Sequence, residues 1–362
     1  MPQPPPPPRL VVFGLSLALG LWPAACQGPS PTPEPIEAGP IALVAPPGAL
    51  PEALLDGFTR ATGISVALRE SVEVEALLRA GEPIDLALLP TEALPGLIED
   101  GLLAPIDHSR LPGFRRVPYS FRDLAYDPGN RYSVPLRYGI SGLILRLGAV
   151  EAFPRSWAEL LSPGPGGRLI LPRRPREVIG AALLAGGHDA NAEDPAALAA
   201  ALERWRALGP RRLQVLSPGE SGAEALARPG AAGLIGRAAD LSAARAAGLD
   251  VSFVVPVEGG LLWIEHLVLP EAGTRPASAL RLVEHLLRPD VAAELARSGS
   301  VALANTALPD ALAPDLLADR AVWPELRVLR RSGMLLPLSP AGRALHASIW
   351  EQLLALLGGA GS

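Results

Sequence analysis

Short apolar segments alternate with amphipathic helical patterns along most of the chain, and this alternation limits the fold to the α/β class. Residues 41–44 form an apolar run typical of a buried strand, and residues 51–62 carry apolar side chains on one face of a helix. Gly63 ends that helix, and further strands are predicted at residues 64–68 and 84–89. Such an alternation predicts parallel strands joined by right-handed connections.

The second half of the chain repeats the pattern, with clear signals where helices begin. Ser156 and Glu159 fit a capping box, and Asp194 precedes Pro195, the residue type favoured in the first turn. Short strands are predicted between the helices, at residues 169–171, 213–216, 234–235, 251–255 and 261–269. Helices dominate from residue 276 onward and end with one over residues 339–357.

The N-terminal segment predicts export from the cytoplasm. Residues 10–21 are apolar, and their length fits the core of a signal peptide better than a spanning helix of about 20 residues. Cys26, the only cysteine, follows two alanines, so we expect residues 1–25 to be a signal peptide and Cys26 to be lipidated. An ordinary secretory signal is the alternative, because Pro23 lies where lipoprotein signals usually carry a branched apolar residue.

Residues 26–40 predict a tether between the anchor and the folded body. The segment is rich in proline, cannot pack a core and should stay extended at about 3 Å per residue. We therefore expect an extracytoplasmic protein, in the periplasm or at the cell surface, held to the membrane through Cys26.

The charge balance argues against a nucleic-acid partner. The chain has 37 acidic and 32 basic residues and a net charge of −5, whereas nucleic-acid binding favours the opposite sign. All 32 basic residues are arginine. The lack of lysine excludes Schiff-base chemistry and the lysine of a phosphate-binding loop.

Signals for an enzyme or a metal site are weak. Ser221 lies next to glycines, but Ala223 replaces the second glycine of a nucleophile elbow, so a turn is the expected structure. The histidines lack metal-ligand spacing; they are His108, His188, His266, His285 and His346. We expect no metal, no cofactor and no catalytic residue.

Several segments, taken in order, resemble one family. They are residues 58–64 (FTRATGI), 84–86 (IDL), 132–135 (YSVP), 156–160 (SWAEL), 176–178 (REV), 257–260 (VEGG), Trp263 and 286–292 (LLRPDVA). Their order and spacing are similar to those of the spermidine/putrescine-binding proteins of bacterial ABC importers. The similarity runs from about Ile41 to Leu357.

The resemblance implies a type II periplasmic-binding-protein fold, in which two lobes, each a mixed sheet flanked by helices, enclose a ligand cleft. One lobe would comprise residues 40–137 and 264–308, and the other residues 138–263 and 309–357. The hinge would lie near residues 137–140 and 260–264. The resemblance also implies a monomer that delivers a small-molecule ligand to a membrane permease.

The matching motifs imply three ligand contacts, Glu177, Glu265 and Trp263. In the family, carboxylates pair with the ammonium groups of the ligand and aromatic rings enclose its methylene chain. Each residue also has a structural explanation, since Trp263 fits an apolar core, Glu177 the start of a helix and Glu265 a pair with an arginine.

The chain departs from the family pattern around the ligand. Thr91 and Glu92 follow the strand that ends at residue 89, where the family has other polar and aromatic residues. Arg174 lies at an acidic position of the family, and Arg237 lies where a tryptophan–asparagine pair is usual. We expect Thr91, Glu92 and Arg174 to be further ligand contacts.

Two ligand classes remain open. In the first hypothesis, Glu92, Glu177 and Glu265 hold the amino ends of a polyamine around Trp263. In the second, Arg174 with Arg137 or Arg237 binds the carboxylate or phosphonate of a zwitterionic or anionic ligand, while Glu265 takes its amine.

Two other functions compete with solute binding. An enzyme could use Glu177 and Glu265 as an acid–base pair if their pKa values differed. A degenerate receptor could keep the fold and bind no solute.

Overall fold

The computed structural model describes residues 37–149, 154–162 and 167–358. The predicted signal peptide and the predicted lipidation site at Cys26 lie outside these ranges. The described strands are β1 Ile41–Ala45, β2 Val66–Glu70, β3 Leu86–Pro90, β4 Leu103–Ala104, β5 Ser133–Arg146, β6 Arg168–Leu171, β7 Leu213–Val215, β8 Ala231–Gly236, β9 Val251–Val254, β10 Leu261–Pro270, β11 Ala302–Leu303 and β12 Gly333–Met334.

Helices occur between most of these strands and dominate the C-terminal part. They are α1 Glu52–Thr62, α2 Val74–Arg79, α3 Leu94–Glu99, α4 Trp157–Leu160, α5 Pro175–Ala185, α6 Pro195–Leu208, α7 Gly222–Ala227, α8 Ala238–Ala246, α9 Pro276–Leu286, α10 Pro289–Gly299, α11 Leu308–Ala311, α12 Pro314–Ala318, α13 Leu326–Arg331 and α14 Pro340–Gly358. The predicted α/β class is confirmed. Within the three described ranges, none of the helices combines the length and the apolar character needed to cross a membrane.

The local signals that the sequence carries act where they were predicted. Gly63 ends α1 with a φ of 75°, a conformation that glycine adopts at little cost. Ser156, Asp194 and Ser221 each accept a hydrogen bond from a backbone N–H in the first turn of α4, α6 and α7. Ser221 is therefore a helix cap, in agreement with the turn predicted for it.

Two predicted strands begin later than expected. Residues 64–68 and 84–89 were expected to be strands, but β2 begins at Val66 and β3 at Leu86. Ile64 and Ile84 are buried all the same. Apolar character marks burial, whereas the start of a strand depends on where backbone pairing with the neighbouring strand begins.

The sheet contains two parallel groups of strands joined by an antiparallel pair. Its order is β2-β1-β3-β10-β5-β8-β6-β7. Strand β1 runs parallel to β2 and β3, and β6 runs parallel to β7 and β8. Strands β5 and β10 are antiparallel to each other and to β8 and β3, respectively.

Strand β5 passes from one group of strands to the other. Its first part, at residues 133–137, pairs with the second part of β10, which in turn pairs with β3. Its last part, at residues 142–145, pairs with β8 and β9. Residues 137–140 and 260–264, where the resemblance implies a hinge, are in or next to the β5–β10 ladder. The lobe boundaries and the hinge stay predictions.

The C-terminal helix returns to the β6–β8 side of the molecule. Helix α14 packs against α5 and α6, and its Ile349 and Leu353 are buried. Helix α9 instead contacts β10, and α10 contacts α1. Helices thus contact both groups of strands, since α1 contacts β2 and α14 contacts β7.

Candidate ligand-binding site

Three of the charged residues singled out in the sequence follow the carboxyl ends of parallel strands. Glu92 lies in the turn after β3, Arg174 lies between β6 and α5, and Arg237 lies between β8 and α8. In open α/β sheets the segments that follow the carboxyl ends of the strands meet in one crevice, where ligands bind. Glu265 and Trp263 are on β10, between these segments.

Glu177 lies in the first turn of α5 and is 1% exposed. One of its carboxylate oxygens, Oε2, accepts hydrogen bonds from Ser141 Oγ at 2.7 Å and from Arg174 Nε at 2.8 Å. The other oxygen, Oε1, accepts from Arg237 Nη2 at 2.5 Å and Nε at 3.0 Å. The carboxylate therefore accepts four hydrogen bonds from the protein, which matches its capacity as an acceptor.

These donors decide the protonation state of Glu177. Burial alone would raise the pKa of the carboxyl group, but the charges of Arg174 and Arg237, together with the Ser141 hydrogen bond, hold the pKa at about 2. Glu177 is thus an anion at every physiological pH.

Glu265 lies opposite Arg137 in the β5–β10 ladder. Arg137 Nε donates to Glu265 Oε2, and Arg137 Nη1 donates to the carbonyl oxygen of Ala49 at 3.0 Å. Arg237 Nη1 donates to Glu265 Oε1 at 3.2 Å. Burial would raise the pKa of Glu265, but Arg137 and Arg237 lower it. The arginine partner that the structural explanation required is therefore present.

Trp263 lies two residues before Glu265 on β10 and is 5% exposed. The guanidinium carbon of Arg237 lies 4.0 Å from the centroid of the Trp263 ring, within the range of a cation–π contact. The indole Nε1–H has no hydrogen-bond partner among the described residues. Arg237 thus contacts an aromatic face and two buried carboxylates at once.

These contacts form one continuous network, which we call the arginine–carboxylate cluster. Arg174 Nη2 completes it by donating to Asp240 Oδ2 at 3.0 Å. Burial opposes the charge on Arg174, but Glu177 and Asp240 raise its pKa. The cluster contains three guanidinium groups and three carboxylates, from Arg137, Arg174, Arg237, Glu177, Asp240 and Glu265.

Glu92 borders the cluster without joining its ion pairs. The residue is half-buried, and its Oε2 atom is buried without a hydrogen-bond partner among the described residues. Burial raises the pKa of Glu92 despite the nearby charges of Arg176 and Arg237. Arg176 instead donates to Leu336 O at 3.0 Å and to Asn191 Oδ1 at 2.7 Å.

Thr91 belongs to a separate buried polar network. Its hydroxyl lies 3.0 Å from His266 Nε2 and 3.3 Å from Ile264 O. On the other side of the ring, His266 Nδ1 lies 3.3 Å from Ser133 Oγ, which donates to Asp127 Oδ2 at 2.7 Å. Thr91 is fully buried, and it contacts the backbone of β10 one residue before Glu265.

The structure brings most of the predicted site residues together. Glu177, Glu265 and Trp263 each contact Arg237, and Arg174 contacts Glu177. Glu92 is adjacent, and Thr91 lies in the neighbouring network. Two members were missed by the sequence analysis, Ser141 and Asp240. Asp240 had a signal, since it lies three residues after Arg237, the spacing of a residue that caps the start of α8. In the part of the chain that the structure describes, His, Cys, Asp and Glu side chains form no group that could hold a metal ion.

Comparisons with known proteins agree with this arrangement. The family model described as bacterial extracellular solute-binding protein matches residues 53–322. The spermidine/putrescine-binding periplasmic protein of Salmonella typhimurium is 30% identical over 294 residues, which cover 78% of this chain and 82% of that protein.

Solved structures show the same fold. A Listeria monocytogenes protein assigned to a spermidine/putrescine ABC transporter superposes with a TM-score of 0.79 at 22% identity, covering 88% of this chain and 99% of that one. A lipoprotein of Treponema pallidum superposes with a TM-score of 0.75 at 20% identity, covering 86% and 98%. The type II periplasmic-binding-protein fold and the resemblance to the polyamine-binding proteins are therefore confirmed, and the chain belongs to the family of bacterial extracellular solute-binding proteins.

Proposed function

We propose that this protein is the solute-binding component of an ABC importer and that its ligand is an amine of the polyamine type. The family assignment supports solute binding outside the cytoplasm. The relatives at about 30% identity are named for spermidine and putrescine binding, which supports the polyamine class and delivery to a permease.

One observation in the structure carries the ligand assignment. Two buried carboxylates, Glu177 and Glu265, flank the face of Trp263, and a guanidinium group is bound between them. Carboxylates beside an aromatic face attract a cation through charge-assisted hydrogen bonds and the quadrupole of the ring. This part of the fold therefore has the chemistry of a cation site.

The competing anionic ligand receives less support from the same contacts. It requires a guanidinium group that is free to bind a carboxylate or phosphonate. Arg137, Arg174 and Arg237 each donate to protein carboxylates instead. An anion would have to displace those carboxylates from buried ion pairs, which is costly.

Binding is a better explanation of the cluster than catalysis. An acid–base pair needs one carboxyl group with a raised pKa, so that it can donate a proton near neutral pH. The pKa values of Glu177 and Glu265 are both lowered. We therefore propose that the protein is not an enzyme.

We further propose that the ligand is captured between two lobes. The lobes would comprise residues 40–137 with 264–308, and residues 138–263 with 309–357, and a monomer would close over the ligand by bending near residues 137–140 and 260–264. The crossing of β5 between the two groups of strands supports this division. The site residues Glu92, Glu177 and Arg237 follow strands of different groups.

We propose that a lipid on Cys26 anchors the protein to the membrane. The apolar segment before Cys26 and the proline-rich segment after it support this, as does the lipoprotein among the structural relatives. Replacing Cys26 by Ser should move the protein from the membrane fraction to the soluble fraction. Equal membrane association of the variant and the parent protein would contradict the anchor.

The ligand assignment is tested with the full chain, extracted in detergent. Putrescine and spermidine should each raise the melting temperature in a saturable way, since a ligand at a hundredfold excess over its Kd stabilises by about 2.7 kcal/mol. Glu92→Gln should weaken binding by about tenfold or more, the effect of losing a charge-assisted hydrogen bond. Glu99→Gln, which removes an exposed carboxylate from α3, is the matched control. Failure of every amine to shift the melt would refute the proposed ligand class.

A further inference from the structure

Arg237 makes the contacts that a ligand ammonium would be expected to make. It donates to Glu177 Oε1 at 2.5 Å and to Glu265 Oε1 at 3.2 Å, and its guanidinium carbon lies 4.0 Å from the centroid of Trp263. These three side chains are the ones that the matching motifs assign to ligand binding. A group of the protein therefore fills the position between them.

We propose that Arg237 is a specificity-determining residue whose guanidinium fills one cation position of the site, so that an amine ligand is recognised through a single ammonium group. This inference rests on the proposed function, because it concerns how the same site reads an amine. It goes beyond that function by stating that the site binds one positively charged group of the ligand, and not two or more.

The charge balance of the arginine–carboxylate cluster supports this inference. Its three guanidinium groups and three carboxylates are joined by five ion pairs, and each carboxylate accepts from at least one of the arginines. The cluster is therefore neutral as a unit. An additional ammonium group placed among these carboxylates would bring an uncompensated positive charge into a buried site, which is unfavourable.

Glu92 supplies the position that remains for a ligand cation. Its buried Oε2 atom has no hydrogen-bond partner in the described ranges, and it lies close enough to Arg237 and Glu177 for their charges to act on it. An ammonium group at Glu92 would satisfy this oxygen and favour the charged form of the carboxylate against the burial that raises its pKa.

Trp263 offers a donor to the rest of the same ligand. Its indole Nε1–H is buried and donates to no acceptor among the described residues, so a neutral acceptor on the ligand could take this hydrogen bond. A second ammonium group could not, because it has only donors. The two open groups thus match a ligand with one cationic end and one acceptor.

Two ligands with the same carbon chain but different numbers of ammonium groups test this inference. Putrescine has two ammonium groups, whereas N-acetylputrescine keeps the carbon chain and replaces one ammonium with a neutral amide. Isothermal titration of the full chain in detergent should show that the unmodified protein binds N-acetylputrescine at least as tightly as putrescine. Arg237→Gln should strengthen putrescine binding by about tenfold or more, since two carboxylates become available. Its effect on N-acetylputrescine should be within about threefold.

Arg245→Gln is the matched control, because Arg245 is on α8, the helix that follows Arg237, is about half exposed and pairs with Asp319 at 4.0 Å. It removes the same charge without touching Trp263 and should leave both affinities unchanged. If Arg237→Gln is too unstable to titrate, the melting temperature provides the second measurement. Putrescine should then raise the melting temperature of the variant more than that of the unmodified protein.

The outcomes separate this inference from the proposed function. If Arg237→Gln strengthens the binding of putrescine but not that of N-acetylputrescine, both the role of Arg237 and the proposed function are supported. The role of Arg237 is refuted, while amine binding stands, if the unmodified protein prefers putrescine and Arg237→Gln weakens putrescine binding. The same conclusion follows if the variant leaves the preference between the two amines unchanged. If neither amine binds either protein, the proposed ligand class fails, and the inference fails with it.

Discussion

The indole ring of Trp263 lies directly against the backbone of Gly139 on the neighbouring strand. A methyl group at Gly139 would come within 2.5 Å of Trp263 Cζ2 and 3.0 Å of its Cε2. The two residues are opposite each other in the β5–β10 ladder. The absence of a side chain at Gly139 therefore leaves room for the indole, whose ring centroid lies 4.0 Å from the guanidinium carbon of Arg237.

Replacing Gly139 by Ala should move the indole and disturb the stack with Arg237. We expect binding of N-acetylputrescine to weaken by about tenfold, a loss of roughly 1.4 kcal/mol, because the indole Nε1–H moves away from the acceptor on the ligand. Titration calorimetry measures the affinity, and tryptophan fluorescence reports the movement of the ring. Gly57→Ala in α1 is the control, since its methyl group would meet only the end of Arg60, 3.9 Å away. Changed fluorescence with unchanged affinity in Gly139→Ala would show that the ring position does not matter for binding.

The ion pairs of Glu177 predict a loss of stability in acid. The folded pKa is about 2, against 4.5 for a free carboxyl group, so the unfolded chain takes up the proton first as the pH falls. The stability contributed by Glu177 is fully present above pH 4.5 and is lost as the pH falls toward 2.

Glu177→Gln tests this contribution. At neutral pH it should lower the free energy of unfolding by about 3 kcal/mol, the lower end for breaking a buried pair, because other carboxylates of the cluster remain. The difference between the variant and the unmodified protein should shrink as the pH approaches 2. Urea denaturation at a series of pH values measures both quantities. The exposed substitution Glu99→Gln should show neither effect, and a pH-independent difference for Glu177→Gln would rule out the linkage.

Local signals in the sequence were enough to predict most elements. Caps such as Ser156 and Asp194 act within one turn, so their effect depends only on neighbouring residues. The full extent of β5 was not predictable in the same way. Its middle carries Arg137, Tyr138 and Gly139, which break the apolar pattern, and its two ends pair with different groups of strands.

The members of the candidate site were partly predictable, but their pairing was not. Glu177, Glu265 and Trp263 were found because they lie within motifs that the family shares. Whether Glu177 faces a ligand or Arg237 depends on how β5, β8 and α5 meet in space. Ser141 was missed for the same reason, since its hydroxyl reaches Glu177 only across the sheet.

The buried His266 predicts a second effect of acid, which begins at higher pH. Burial lowers its folded pKa from 6.5 to about 3, so the ring stays neutral in the folded protein. As the pH falls below 6.5, the unfolded chain binds a proton that the folded protein does not. The free energy of unfolding should therefore decrease as the pH is lowered from 6.5 to 3. The contribution of this group is at most about 1.4 kcal/mol per pH unit.

His266→Gln should remove that part of the pH dependence, because glutamine does not titrate. The unfolding free energy is measured by denaturant titration at pH values across the same interval. His188→Gln is the control, since His188 is exposed and its loss should leave the slope unchanged. An identical slope in His266→Gln and the unmodified protein would contradict the assignment.

Glu37 caps a helix that lies far from it in the sequence. Its carboxylate accepts hydrogen bonds from the backbone N–H groups of Ala277 at 2.9 Å and Ser278 at 3.0 Å, and from Ser278 Oγ at 2.5 Å. These N–H groups belong to the first turn of α9, and Arg275, the residue before this helix, supplies no side-chain cap. Burial would raise the pKa of Glu37, but these hydrogen bonds lower it. A residue far away in the sequence thus caps α9.

Replacing Glu37 by Ala should cost about 1 kcal/mol of unfolding free energy, as the loss of a helix cap usually does. The amides of Ala277 and Ser278 should also exchange with solvent faster, because they lose their acceptor. Hydrogen exchange resolves these two positions, and Glu52→Ala, at an exposed site in the first turn of α1, is the control. If the exchange at α9 is unaffected, Glu37 is not the cap of this helix.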